Sequence, residues 1–235
     1  MLLQNKWRRL LKLFEIDENI INQTFIEIAT VYDECPGRYY HNLKHIKEVL
    51  EIIENLYSKY KLDASLQFAA WFHDIVYDTQ AHNNEEKSAE YARNLLSLLN
   101  IPSSTIDNTC RLILTTKHHK ASKDDLESQI LLDADLAILG CNPKRYCEYM
   151  LGIHQEYGWV PEKEYSTKRS EVLLHFLERA RIFSTLELYQ QLELIARNNI
   201  KAEIIALESP PTPPVNSATV YTQLVPVYVS SHTVP

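Results

Sequence analysis

Glycine is scarce in this chain, with four residues among 235. That excludes a many-stranded β architecture, whose tight turns draw on glycine repeatedly. Cysteine is equally scarce. Cys35, Cys110, Cys141 and Cys147 form no CxxC pair, so no thiolate motif is indicated, and the reading is four reduced thiols in a cytoplasmic protein. Long hydrophobic runs are missing too. None approaches the ~20 residues that a membrane-spanning helix needs. The opening MLLQNKWRRLLKLF is interrupted by Lys6, Arg8, Arg9 and Lys12, so it does not read as a secretory leader. An excess of positive charge is also absent. The formal net charge is −7, and no stable binding to a nucleic-acid backbone is expected. The last absence is local: residues 209–235 hold no Asp, Glu, Lys or Arg but six of the ten prolines. They read as a disordered or polyproline tail.

What is present is helical periodicity. Ile46, Val49, Leu50, Ile53, Leu56 and Tyr57 make one stripe, and Ile106, Cys110, Ile113 and Leu114 another. Near the start, Trp7, Leu10, Leu11 and Phe14 read as a packed helix, with a membrane-surface helix as the alternative. Boundary signals punctuate the rest. Pro102 with Ser103, Ser122 with Asp125, and Pro143 open helices; Gly140 closes one. Ser184 and Glu187 have the spacing of a capping box. The expected fold is all-α: a bundle of nine or ten helices over residues 1–208, followed by the Pro-rich tail.

The chemistry concentrates where charge interrupts apolar helices. In YYHNLKHIKEVL, His41 and His45 are four residues apart and would share a helical face if Tyr39–Asn42 opens that helix. In FAAWFHDIVY, His73 and Asp74 are neighbours, so on a helix their side chains diverge by about 100° and can flank an ion but not hold it alone. In LLDADLAILG, Asp133 and Asp135 stand in an apolar run, and at most one of them shares a buried face with a given site. A buried carboxylate needs a cation. Lys and Arg are scarce in both segments, so a divalent ion is the economical partner. Imidazole and carboxylate ligands suit Mn²⁺, Fe²⁺, Zn²⁺, Mg²⁺, Co²⁺ or Ni²⁺ without choosing among them.

The order His45, His73-Asp74, Asp135 resembles the HD superfamily of metal-dependent phosphohydrolases, across roughly residues 25–200. The block YHNLKH is similar to the HNxxH signature of cyclic nucleotide phosphodiesterases. By that resemblance His41 donates a proton and His45 binds metal with His73, Asp74 and Asp135. The match of "AD" in DADLA favours Asp135 over Asp133. The blocks WFHDIVYD, NNEEKSAEYA, TKHH and LLDADLAILG look most like a bacterial group of predicted HD phosphohydrolases. One departure stands out. Where the phosphodiesterases carry a second histidine four residues after the HD histidine, this chain has Tyr77.

The implied activity is hydrolysis of a nucleotide or small phosphate ester by a metal-activated water, with Asp74 both ligating and orienting. Arg38, Lys44, Lys117, His118, His119 and Arg169 are candidates to meet the phosphate. Tyr77, Asp78, Glu85 and Asp133 are candidates for a supporting layer, and His82 for a further ligand. Tyr165 and Arg169 are expected just ahead of a core helix, within reach of the site. Two other readings carry weight: a non-catalytic HD module that binds metal and nucleotide, and a dinuclear-iron HD oxygenase.

Overall fold

The computed structural model describes residues 2–33, 36–57, 59–60 and 62–208. The Pro-rich tail and Cys35 lie outside the described residues. Among the described residues there are ten α-helices and no strand. The chain divides into two compact units, Met1–Asp135 and Leu136–Pro235.

In the first unit run α1 (Leu2–Lys12), α2 (Glu18–Asp33), α3 (Leu43–Tyr57), α4 (Ala64–Phe72), α5 (Asn84–Leu98), α6 (Ser103–Thr115) and α7 (Leu126–Leu136). Helix α4 is its axis. Asp63 starts it, taking an extended backbone while its carboxylate accepts from the Ser65 N–H at 2.8 Å. Ser65, Leu66 and Phe68 through Phe72 are all buried. A helix apolar on every side must be surrounded, and α3, α5 and α6 pack against this one.

Helix α1 closes the core rather than lying free. Trp7, Leu10 and Leu11 recur at the i, i+3, i+4 spacing of one face and are buried. Trp7 meets the edges of Phe68, Trp71 and Phe72 with centroids 5.9, 5.4 and 5.8 Å away. Its indole N–H donates to the Thr24 hydroxyl at 2.9 Å, so burial leaves no polar atom behind. The α3 stripe is buried from Ile46 through Leu56. In α6 Ile106, Cys110 and Ile113 are buried as expected, but Leu112 takes the inner place and Leu114 is exposed. The buried arc of α6 keeps Ile106, Cys110 and Ile113 and extends to Thr109 and Leu112, as α4 and α5 both pack on this helix.

The second unit begins with a 3-10 turn, Ala137–Gly140, followed by α8 (Pro143–Glu156), α9 (Glu162–Glu178) and α10 (Leu186–Glu208). Asn142 caps α8, its side chain accepting from the Arg145 N–H at 3.0 Å. Gly140 lets the turn lie flat on α10: an added Cβ would come within 2.6 Å of the Leu192 Cβ. Inside this unit Arg169 and Glu203 form a buried ion pair at 2.7 Å. The Tyr146 hydroxyl donates to the same carboxylate at 2.6 Å, and the Tyr149 hydroxyl accepts from Arg169 at 2.9 Å. These bonds supply the neutralisation and donors without which a buried pair is costly. No described helix is long and apolar enough to cross a membrane.

Trp7→Ala should lower stability by about 3–5 kcal/mol, the usual cost of emptying a large aromatic site. Urea denaturation of the variant checks this. A loss below about 1 kcal/mol would mean that α1 is peripheral to the core.

Candidate metal centre

The first ligand-bearing element is the entry to α3. Asn42 is the cap: its side-chain oxygen accepts from the Lys44 N–H at 2.9 Å and its carbonyl from the Ile46 N–H at 3.2 Å. The helix therefore starts at Leu43. His45 stands in its first turn and is buried. His41 falls in the turn before the cap, so the expected sharing of one helical face does not arise. It comes near by the path of that turn. Its ring lies 5.9 Å from His45 and stacks on Tyr77 at 4.1 Å.

The second element is the C-terminal end of α4. Phe72 is its last residue, so His73 and Asp74 follow the helix rather than sit within it. His73 keeps helical backbone angles as the C-cap, and Asp74 follows it. The third element is α7, where Asp135 is the penultimate residue.

These four residues converge. One ligating atom from each of His45, His73, Asp74 and Asp135 lies within 4.8 Å of the others. The two imidazole Nε2 atoms are 3.2 Å apart. His45 Nε2 lies 3.5 Å from Asp74 and 3.2 Å from Asp135; His73 Nε2 lies 3.3 Å from Asp74 and 3.5 Å from Asp135. Both histidines are buried, and the two carboxylates are 21% and 15% exposed, so solvent reaches the cluster at its carboxylates.

The hydrogen bonds behind the histidines decide what faces the centre. His73 Nδ1 is 3.1 Å from the Ala70 carbonyl. A carbonyl only accepts, so Nδ1 carries the hydrogen and the neutral ring presents a bare Nε2. His45 Nδ1 contacts the Tyr40 hydroxyl at 3.0 Å, a partner that can accept in the same way. Two lone pairs and two carboxylate oxygens so close together require a positive charge between them. The donor set thus fits a divalent ion bound through nitrogen and oxygen, with oriented imidazoles as such sites need.

Protons can serve in place of the ion. Burial pushes both imidazoles down, but the carboxylates outweigh it. His45 ends raised by Asp135 and Asp74, and His73 ends well raised by the same pair. For the carboxylates, burial pushes up and the histidines outweigh it. Asp74 is held well below the ordinary carboxylate range, chiefly by His73, and Asp135 by His119 and His45.

The other candidate residues are placed as follows. His119 joins the cluster's edge, its Nε2 2.9 Å from the second oxygen of Asp135. It does so from a left-handed backbone, φ 46°. Asp133 is buried but outside the tetrad. His118, His82 and Lys44 are exposed. Lys117 donates to the His82 carbonyl at 3.0 Å and pairs with Glu86. Asp78 organises its own turn, its carboxylate accepting from Gln80 and its N–H donating to Asn84. Glu85 is half-buried in the first turn of α5. Arg38 is turned to backbone carbonyls. Tyr165 and Arg169, expected ahead of a helix, lie within α9, because Pro161 starts that helix earlier. Arg169 is matched by Glu203 in the second unit.

Sequence reasoning passed over Tyr40 as the partner of His45 and Asn42 as the cap. The capping signal, an Asx residue at the head of an apolar stripe, was there to be used. Nothing local signals Tyr40, since a tyrosine beside a histidine has no fixed direction outside a helix.

A family model described as HD domain matches residues 42–137, the span from the α3 cap to the turn after Asp135. Over that span the chain is similar to the HD domain. No curated protein and no solved structure matches the chain.

A pH dependence follows. With the ion removed, each histidine's raised value gives stability that is full below about pH 6.5 and lost as pH rises. Each carboxylate's depressed value gives stability present above about pH 4 and lost on acidification. The chelated protein should therefore melt at a lower temperature at about pH 8.5 than at about pH 6. Saturating Mn²⁺ displaces those protons, so its stabilising shift should grow over the same interval. Thermal melts with and without chelator check both signs. A Mn²⁺ shift independent of pH would show that the ion does not compete for these imidazoles.

Proposed function

We propose that the chain is a metal-dependent phosphohydrolase acting on a nucleotide or small phosphate ester. One observation carries this reading: a close His-His-Asp-Asp set with buried histidines and partly exposed carboxylates, and beside it an imidazole, His41, that is not part of the set. A divalent ion held there supplies charge neutralisation and a water of lowered pKa.

The chain's own groups do the rest. His45 and His73 hold the ion through bare nitrogens fixed by Tyr40 and by the Ala70 carbonyl. Asp74 and Asp135 supply the balancing charge, and Asp74 orients the attacking water. His41 stands on the Tyr77 ring, from which it can give a proton to the leaving oxygen. Lys44, His118 and His119 are candidates to meet phosphate, His119 from its place on Asp135. Lys117 is paired with Glu86, Arg38 with backbone carbonyls and Arg169 with Glu203.

A non-catalytic metal- and nucleotide-binding module would use the same tetrad. It differs in what His41 does. A dinuclear-iron oxygenase needs ligands for a second ion, and the close group among the described residues holds four.

Two substitutions separate these roles. His45→Ala should lose bound metal and stability together, because it strands two carboxylates. His41→Ala should keep the metal and slow turnover by roughly 10²–10⁴-fold. That loss should shrink for a nitrophenyl ester, whose leaving group needs little protonation. Elemental analysis and a phosphate-release assay over a nucleotide and phosphoester panel read both. Equal metal loss in the two variants would make His41 a ligand. Ligand binding without release of phosphate by the unaltered protein would favour the binding module.

A further inference from the structure

Arg38 carries a charge that a phosphate could use, yet both terminal nitrogens of its guanidinium are turned to backbone carbonyls. Nη1 donates to the Asp74 carbonyl at 2.7 Å and the His41 carbonyl at 3.2 Å; Nη2 donates to the Ile75 carbonyl at 2.8 Å. The guanidinium carbon lies 5.1 Å from the Tyr32 ring centroid and 5.7 Å from that of Tyr77. One side chain thus joins three pieces of chain: the turn carrying His41, the turn carrying Asp74, and α2 through Tyr32.

The location gives this a reason. The last carbonyls of a helix have no partner within it. At the end of α4 the Ala70 carbonyl takes the His73 Nδ1 hydrogen and the Trp71 carbonyl takes the Tyr32 hydroxyl at 2.8 Å. Arg38 covers the Asp74 and Ile75 carbonyls just beyond, where a cation also suits the helix dipole. Gly37, with φ +90°, turns the chain immediately before Arg38, in a conformation that glycine adopts without strain. The fork matters. Three acceptors in two turns match a planar guanidinium and not the single ammonium of lysine.

We propose that Arg38 is a positioning residue: by gripping the His41 and Asp74 carbonyls together it fixes His41 against the ligand cluster, and it does not touch substrate. The proposal rests on His41 being the proton donor. Tyr77 extends the grip, since its ring is in contact with both Arg38 and His41.

The test uses the full chain loaded with Mn²⁺ and the variants Arg38→Lys and Arg38→Met, each alone and combined with His41→Ala. Metal content should match the unaltered protein. Turnover should fall by about 10–10²-fold, the effect of a misplaced catalytic group, with KM changed less than about twofold. The combined variants should be no slower than His41→Ala alone. A second readout needs no turnover. In Mg²⁺-loaded protein, the His41 ring protons should lose the upfield shift that the stacked Tyr77 confers, while His154 and His175 keep their resonances and report an intact fold. Additive losses with a raised KM would make Arg38 a substrate contact and overturn the proposal. So would an unmoved His41 resonance. If the unaltered protein hydrolyses nothing in the panel, the proposed function falls, and the resonance alone decides the role of Arg38.

Discussion

Two imidazole nitrogens with lone pairs facing each other at 3.2 Å, flanked by two carboxylates, cannot rest without a positive charge among them. Much of the first unit follows from this constraint. The His73 nitrogen is bare because its ring donates to the Ala70 carbonyl on the far side, and Tyr40 offers the His45 ring a partner that can accept in the same way. The two nitrogens are close because α3 and α4 pack directly on one another. They are buried because α4 is apolar all round and its end is covered. Take the cation away and the group must hold protons, which is why the two imidazoles are shifted up and the two carboxylates down.

Fold and site were legible to different depths. The all-helical class came from scarce glycine and clear periodicity, and most boundaries from proline and Asx signals, because those act within a few residues. The candidate residues came from charge inside apolar runs, where burial without a partner is costly; the choice of His45 over His41 as ligand and of Asp135 over Asp133 came from the resemblance to the HD superfamily. What local pattern could not supply was register. His41 was set on the α3 face, when Asn42 caps the helix one residue later and leaves it outside. His73 and Asp74 were set within a helix that ends at Phe72. Arg38 and Arg169 read as phosphate contacts because a lone cation near a site carries no sign of its partner. Their partners, carbonyls 36 and 37 residues away and a glutamate 34 residues away, exist only in the fold.

His119 shows the same limit from the other side. A histidine pair after a helix reads equally well as solvated charge or as part of a site. The structure seats one imidazole on Asp135 and leaves the other exposed. The discriminating feature is the left-handed backbone at His119, uncommon for any residue other than glycine, which no composition argument reaches. Its contact takes the second oxygen of Asp135 and leaves the first aimed at the two Nε2 atoms. The carboxylate is thereby held in one orientation by groups on both sides.

Helix direction makes the choice of a cation more than a matter of four side chains. Asp74 follows the C-terminus of α4, and Asp135 is the penultimate residue of α7. Both carboxylates therefore stand where backbone carbonyls already concentrate partial negative charge, a place that disfavours an anion by some tenths of a kcal/mol up to about 1. Two such placements would be a fault in an ordinary core. They cease to be one if the occupant between them is a cation, which each helix end attracts in the same sense. His45, by contrast, comes from the first turn of α3, where the positive end of a helix favours a neutral imidazole over a charged one and so favours the ligand form of the ring. Charge, tautomer and helix polarity were each determined by different stretches of sequence. All three suit a cation among these four side chains, which could hold a metal ion.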